Sequence, residues 1–468
     1  MLRMIPQNAF LPRACAIVGL AMLTAVAAPG TRAQDTGSQD TGSADVHQMW
    51  MRPISSGWTV MGMAQAYPIL STGLFAEDDT PPAETALYLT QPTAMFNVES
   101  PGSRVVLRST LNFEGLTQPD GELTFGAWGE GFLDKRHPHT LVHELMLSAN
   151  FWRFAGGSLS LSAGKGFAPY GTDDPMSRPV AKYPTNHHLS QILERWTANA
   201  VYLIGDWSLE AGLFGGGEPD GPYDFSNIES FGDSWSARVA RRLGGGSGSM
   251  AAWEMSLSFA RVREAHAVFN CPSCRPTLGV ADRRYTSLAS VALRHESAYG
   301  FGSLYAMIEG SFAQPYFGDD YISWLGETRL EVGRHRPYYR VEVAIRPEYA
   351  RLRFPGNEGF YRYDHDSQAI GTTRWLIVAA GHAYELTGYP LGAKPFVEVQ
   401  FHHVSAETGG VEPEALFGGR SFAQLTVGIR LHLGGDSMRM GAYGVLDAMT
   451  ARHAMSTAPQ GGHGDHGS

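Results

Sequence analysis

Two short segments of this chain carry side chains that could hold a metal ion or set up a field for a charged solute. The first, Asp134-Lys135-Arg136-His137-Pro138-His139, is followed by Glu144. The second, Thr172-Asp173-Asp174-Pro175-Met176-Ser177-Arg178-Pro179, leads through Lys182 to His187-His188. Neutral imidazoles beside a carboxylate suit Zn²⁺, Cu²⁺ or Ni²⁺, so His137, His139, Glu144, His187 and His188 are a candidate ligand set. The same imidazoles could instead hydrogen-bond carboxylates and fix their loops, and both readings stay open. Asp173, Asp174, Arg178 and Lys182 gather acids and bases within ten residues. That mixture suits a constriction whose charges sort ions.

The segments are set among three strand-like runs, 139–154, 158–167 and 190–204. If these neighbour one another in a sheet, both histidine clusters fall at the same end of it, two strands apart. Adjacent strands lie about 4.8 Å apart, which puts the clusters roughly 10 Å from each other.

Alternation continues through most of the chain. Val341, Val343 and Ile345 interleave with Arg340, Glu342, Ala344 and Arg346; Val397, Val399 and Phe401 interleave with Glu398, Gln400 and His402. A period of two means a strand with one apolar and one polar face. Sixteen such runs can be counted: 57–69, 87–98, 104–115, 139–154, 158–167, 190–204, 207–214, 231–243, 250–264, 284–295, 301–312, 322–332, 337–350, 370–385, 393–404 and 421–433. The second contains Pro92, which cannot donate to a ladder.

The connections alternate between long, 9 to 23 residues, and short, 2 to 7 residues. A meander with all its tight turns at one end predicts an all-β fold, an antiparallel up-and-down transmembrane β-barrel of about 16 strands. Closure removes the sheet edges that lipid could not satisfy. A soluble sandwich would show the same alternation with the apolar face inward. In the barrel the polar face lines the lumen. By parity that face carries Arg104, Arg108, Glu114, Glu144, Ser148 and Asn150, then Arg238, Glu254, Glu309, Glu327, Arg329, Arg340, Glu342, Arg346, Glu398, Arg430 and His432. Trp58, Tyr67, Trp152, Phe167, Trp207, Tyr285, Tyr338 and Phe396 sit near strand ends, where interfacial girdles form.

Residues 1–33, with Arg3 and Arg13 before the apolar run Ala14–Ala28, have the form of an export signal peptide. Residues 34–56 are polar and expected as an N-terminal periplasmic linker, 57–433 as the barrel, and 434–468 as a periplasmic tail. Both termini are thus expected on the periplasmic side. Without the signal the charge is 33 − 46 = −13, and no basic run offsets it, which excludes a nucleic-acid partner. The expected partners are outer-membrane lipid and small solutes or ions, with a monomer or a homo-trimer both open. Methionine and histidine recur in the tail (Met438, Met440, Met449, His453, Met455, His463, His466) and around the start of the first strand (His47, Met49, Met51, Met61, Met63), a pairing that suits copper.

The Asp134–His139 pattern, Glu144, Met176-x-Arg178-Pro179 and His187-His188 together resemble a group of uncharacterised bacterial outer-membrane barrel proteins, over about 60 of 468 residues. More loosely, the chain resembles a 16-stranded porin. That resemblance implies that the loop after strand five, here Ala168–Leu189, folds into the lumen and narrows it. The terminal aromatic common in outer-membrane proteins is absent, since 35 residues follow Leu433.

The expected function is porin-like: passive or weakly selective passage of small hydrophilic solutes or ions, with no cofactor. Its pore would be lined by Asp173, Asp174, Met176, Arg178, Lys182, His187, His188, Glu144, Arg104 and Arg108. The alternative is a copper- or zinc-binding outer-membrane protein. There is no Gly-x-Ser-x-Gly elbow, His-Glu-x-x-His helix or phosphate-cradling loop. A hydrolase built from scattered wall residues is a third reading. Cys271 and Cys274, in Cys-Pro-Ser-Cys, are expected to form a disulfide within one loop of the exported chain. Mass spectrometry of protein taken from the membrane should find them bonded. Their replacement by Ser should change barrel stability little, because so small a closed loop constrains few unfolded conformations.

Overall fold

The computed structural model describes residues 50–76, 85–117, 140–172, 178–180, 189–217, 219, 223, 226–243, 251–263, 285–299, 301–314, 320–347, 372–386, 391–408, 419–433, 441 and 443. A strand occurs wherever alternation predicts one. In chain order they are β1 (Trp50–Pro53), β2 (Thr59–Ala76), β3 (Ala86–Glu99), β4 (Val105–Asn112), β5 (Val142–Phe154), β6 (Gly157–Gly166), β7 (Arg195–Ile204), β8 (Trp207–Phe214), β9 (Ser234–Leu243), β10 (Ala251–Arg263), β11 (Tyr285–Tyr299), β12 (Gly302–Gln314), β13 (Tyr321–Glu331), β14 (His335–Pro347), β15 (Thr372–Tyr384), β16 (Leu391–Thr408) and β17 (Ser421–Leu433).

Each strand from β2 to β17 pairs antiparallel with the next, and β17 returns to β2 with Val427 opposite Leu70. Setting β1 aside, sixteen of the seventeen strands close into an up-and-down barrel. The extra strand lies in the stretch expected as linker, and the closing seam explains it. The β17 ladder stops at Leu433 opposite Ala64, which leaves the start of β2 with an open edge. β1 covers that edge, Trp50 facing Gly62 and Pro53 facing Thr59.

Pro92 lies within β3 at a change of register. Gln65 faces Thr93 but Tyr67 faces Thr90, so Gln91 and Pro92 together oppose Ala66. Such a bulge places proline where no ladder donor is required. Gln91, held at φ 49°, donates its N–H to Glu114 Oε1 at 2.9 Å. The connection 315–320 is shorter than expected because β12 and β13 run on to Gln314 and from Tyr321. It still exceeds its neighbours 300–301 and 332–334, so the alternation of lengths persists.

Burial decides between barrel and sandwich. On β5, Leu145 and Leu147 are 44% and 55% exposed while Glu144 and Ser148 are buried. On β10, Met255, Leu257 and Phe259 face outward while Glu254, Ser256 and Ser258 are buried. Apolar side chains on the outside of a polar interior are unfavourable in water and favourable in hydrocarbon. Trp58, Trp152 and Trp207 stand exposed at the short-turn end, as interface aromatics do. Four others expected in that girdle are buried inside: Tyr67, Phe167, Tyr338 and Phe396. Parity already favoured this for two of them, since Tyr338 shares a face with Arg340 and Phe396 with Glu398. Replacing Leu257, at the centre of the outward face of β10, with Arg should cost about 2–4 kcal/mol if it lies near the bilayer midplane. Denaturant titration of folding into lipid vesicles would measure this.

Candidate functional site

The described residues of the connection from Phe167 to Glu194, namely 167–172, 178–180 and 189–194, lie inside the barrel. Its two arms begin as an extension of the β6–β7 hairpin, with the Ala168 N–H donating to Ile192 O at 3.0 Å and the Thr172 N–H to Ser190 O at 3.0 Å. Ala168, Tyr170, Leu189 and Ile192 pack on Phe214, Ala260, Val262, Leu288 and Ala313 of β8 and β10–β12. Small alanines on that inner wall leave the room the arms occupy. Gly171 adopts φ 68°, and a Cβ there would lie 1.7 Å from Ser190 O. Only glycine fits this turn. Its N–H donates to Ser258 Oγ at 2.9 Å, and Arg238 Nε donates to its carbonyl at 3.1 Å.

Further along, Arg178 reaches β12 and β13. Its Nη2 lies 2.9 Å from Glu309 Oε2 and its Nη1 4.0 Å from Glu327 Oε1. Thr172 Oγ1 bridges the same partners, accepting from Arg178 and donating to Glu309. Glu327 is shared with Arg340 at 2.9 Å and with the Tyr305 hydroxyl at 2.7 Å. Burial alone would loosen the Arg178 proton, but Glu309 and then Glu327 more than reverse that, so the guanidinium holds it more tightly than usual. Burial, then Glu309 and Tyr321, push the Tyr170 hydroxyl well above the usual phenol range.

Beyond Arg178, Val180 enters an apolar box of Tyr67, Ile69, Tyr338, Ala379, Ala383 and Phe396. Arg430 lies over the rings of Tyr67, Phe396 and Tyr338 at 5.2, 5.5 and 5.8 Å, and donates to the Pro179 carbonyl. In a ring of sixteen strands β6 and β14 are eight apart, so the segment runs from one wall of the lumen to the opposite one.

Its base is held from β5. Glu194 Oε1 accepts from the Thr140 N–H at 2.8 Å and sits 2.6 Å from His143 Nδ1. His143 stands edge-on to Phe167, ring centroids 5.3 Å apart, so one imidazole touches both ends of the segment. Glu194 adopts φ 57°, a left-handed conformation costly for a residue with a Cβ, held here by the two contacts of its carboxylate. His143 shares its parity with Leu145 and Leu147, so alternation alone gives no sign of its buried side chain.

Of the residues singled out from sequence, Arg178, Glu144 and Arg108 lie inside the barrel. Glu144 accepts from Thr110 and from the Tyr443 hydroxyl, and Arg108 lies over the Tyr443 ring. Arg104 does not join them. The chain turns at Pro101–Ser103 before β4 begins, and Arg104 is exposed at that rim. Asp173, Asp174, Met176, Lys182, His137, His139, His187, His188, Cys271 and Cys274 lie outside the described residues. Among the described residues no three His, Cys, Asp or Glu side chains meet in a metal-holding group.

No family model matches the chain, and no curated protein does. Solved structures of similar shape include DcaP, an outer membrane channel of Acinetobacter baumannii, 10% identical over 82% of this chain and 99% of that one, TM-score 0.46. OprB of Pseudomonas putida is 11% identical over 80% and 94%, TM-score 0.45. A loop-deletion form of OmpT, an outer membrane protein of Vibrio cholerae, is 13% identical over 80% and 99%, TM-score 0.45.

Replacing Arg178 with Met leaves Glu309 without its guanidinium in a buried site. Losing one partner of a buried pair costs on the order of 3–5 kcal/mol. Here the cost should fall on the segment and spare the barrel ladder. Limited proteolysis should cut between 167 and 194 much faster in the variant, while heat-modifiable migration of the barrel is unchanged.

Proposed function

We propose that this chain is an outer-membrane channel for small hydrophilic solutes or ions, narrowed by the segment 167–194. The observation that carries the reading is that segment's course. It crosses a closed barrel, apolar outside and charged within, and is tied to the far wall by Arg178 and Val180. A segment clamped at both ends of such a crossing divides the lumen and brings its own charges to the narrowest part. In this reading the short turns face the periplasm and the long connections face outward, as in other barrels of this kind. Passage is passive, and selectivity follows the charges at the constriction: Arg178 and its acids, with Asp173, Asp174, Lys182 and the histidines as further candidates.

Purified protein in planar bilayers should form discrete ion-conducting steps. Arg178→Met should raise conductance and shift preference towards cations, and Asp173→Asn with Asp174→Asn should shift it towards anions. If His187 and His188 line the constriction, conductance should vary between about pH 5 and 8, and their replacement by Gln should flatten that response. Unchanged selectivity in all these variants would remove the segment from the pore, and a complete lack of conductance would end the channel reading.

A further inference from the structure

Outside the lumen, the short-turn rim carries two histidines that take no part in the crossing. His335 opens β14, and His382 lies near the end of β15, its neighbour in the sheet. His335 is opposite Tyr384 and His382 is opposite Pro337, so the two imidazoles are diagonal neighbours on one ladder. His335 shares its parity with Tyr339, which is 40% exposed, whereas Tyr338 and Arg340 are buried. On β15 the inward positions are held by the buried Ala379 and Ala383, which leaves His382 and Tyr384 on the other face. The pair therefore stands on the outer wall, beside the turn 332–334.

His335 Nδ1 lies 3.1 Å from His382 Nε2, with ring centroids 5.3 Å apart. The backbone beneath them is fixed. His335 and Val332 exchange both main-chain hydrogen bonds, at 2.9 and 3.0 Å, and the Glu385 N–H donates to Arg334 O at 2.9 Å. Tyr384 stands edge-on to His335 at 5.1 Å and limits the swing of its ring. Arg336 is turned away, onto the Gly333 carbonyl and towards Glu331 at 3.7 Å.

Two N–H groups do not face each other at such a distance, so at least one of the facing nitrogens offers a lone pair. With the proton of each neutral ring on its far nitrogen, His335 Nε2 and His382 Nδ1, both of them do. What lies between them is then either one shared proton or one cation. A metal ion about 2.0–2.1 Å from each of two nitrogens 3.1 Å apart would subtend about 95–100°. That is near the right angle between adjacent ligands of tetragonal Cu²⁺ or Ni²⁺, and tighter than the tetrahedral angle of Zn²⁺. Both rings must turn towards the ion. His335 is exposed and His382 half-buried, so the turn disturbs little packing.

We propose that His335 and His382 form a two-histidine site for a divalent transition metal ion, Cu²⁺ or Ni²⁺ before Zn²⁺, with water completing the coordination. The site is independent of the channel and shares no residue with the loop histidines considered from sequence. Its ligands come from adjacent strands, so a bound ion bridges β14 and β15 where their ladder ends.

Histidine carbethoxylation of the folded full chain, read residue by residue by mass spectrometry, tests it with Ni²⁺ alone as the probe. His335 and His382 should become protected together, at one common Ni²⁺ concentration. His403, exposed with its Nδ1 2.9 Å from Ser421 Oγ, is the control within the same barrel and should stay reactive there. His382→Gln should raise the Ni²⁺ needed to protect His335 by roughly a hundredfold or more, because the second ligand no longer acts within the same molecule. His335→Gln should do the same to His382. Glutamine can still hydrogen-bond to the remaining imidazole, so these variants separate a metal site from a hydrogen-bonded pair. Heat-modifiable migration reports that each variant is folded. Protection of either histidine that is unchanged by loss of the other would overturn the proposal. So would protection of His403 at the same concentration, or equal reactivity of the pair with and without Ni²⁺ in the unsubstituted chain, an arm that needs no variant to fold.

Discussion

Every strand of this barrel depends on closure of one hydrogen-bonded ladder. In hydrocarbon an unpaired N–H or C=O costs several kcal/mol, so an open sheet with these outward leucines would have no medium in which to exist. β17 meets β2, β9 meets β10, and the one stretch of β2 left over by that seam is covered by β1. Even the proline within β3 is accommodated by a bulge, and the neighbouring amide turns to a carboxylate for its partner.

Closure with the apolar faces outward fixes what lies inside. The inner wall is made of the strands' polar faces, and its charges are removed from bulk water by the segments that enter the lumen. Buried charge is tolerable only when paired. That accounts for the way the crossing segment is attached: Arg178 between Glu309 and Glu327, Arg430 on the Pro179 carbonyl and three aromatic rings, Glu194 on His143 and Thr140. The same pairs that neutralise the wall hold the segment across the lumen, so attachment of the segment and stability of the wall are one structure.

The segment's apolar contacts carry the converse lesson. Ala260, Val262, Leu288 and Ala313 break the polar-inward rule on their strands, as do Tyr67, Tyr338 and Phe396 across the barrel. Each exception lies where an inward residue of the segment lands. These two groups of apolar side chains on the inward face mark the two ends of the crossing.

Alternation of side chains and of loop lengths determined the strands, their order and the closed barrel, because both are local consequences of a two-residue period and of chain reach. Parity set Glu144 and Arg108 on the inward face, while the inward course of the loop of Arg178 was implied only by the resemblance to a porin. It did not determine partners, since ion pairs such as Arg178 with Glu309 join residues 131 positions apart. Ring type and nearness to a strand end did not separate Tyr67, Tyr338 and Phe396 from interface aromatics, and only parity with Arg340 and Glu398 set the last two on the inward face. His143 and Tyr443 became visible only in three dimensions. One gains its place from Glu194, fifty-one residues on and two strands away, and the other from a strand nearly three hundred residues earlier, and no local pattern encodes a contact at that separation.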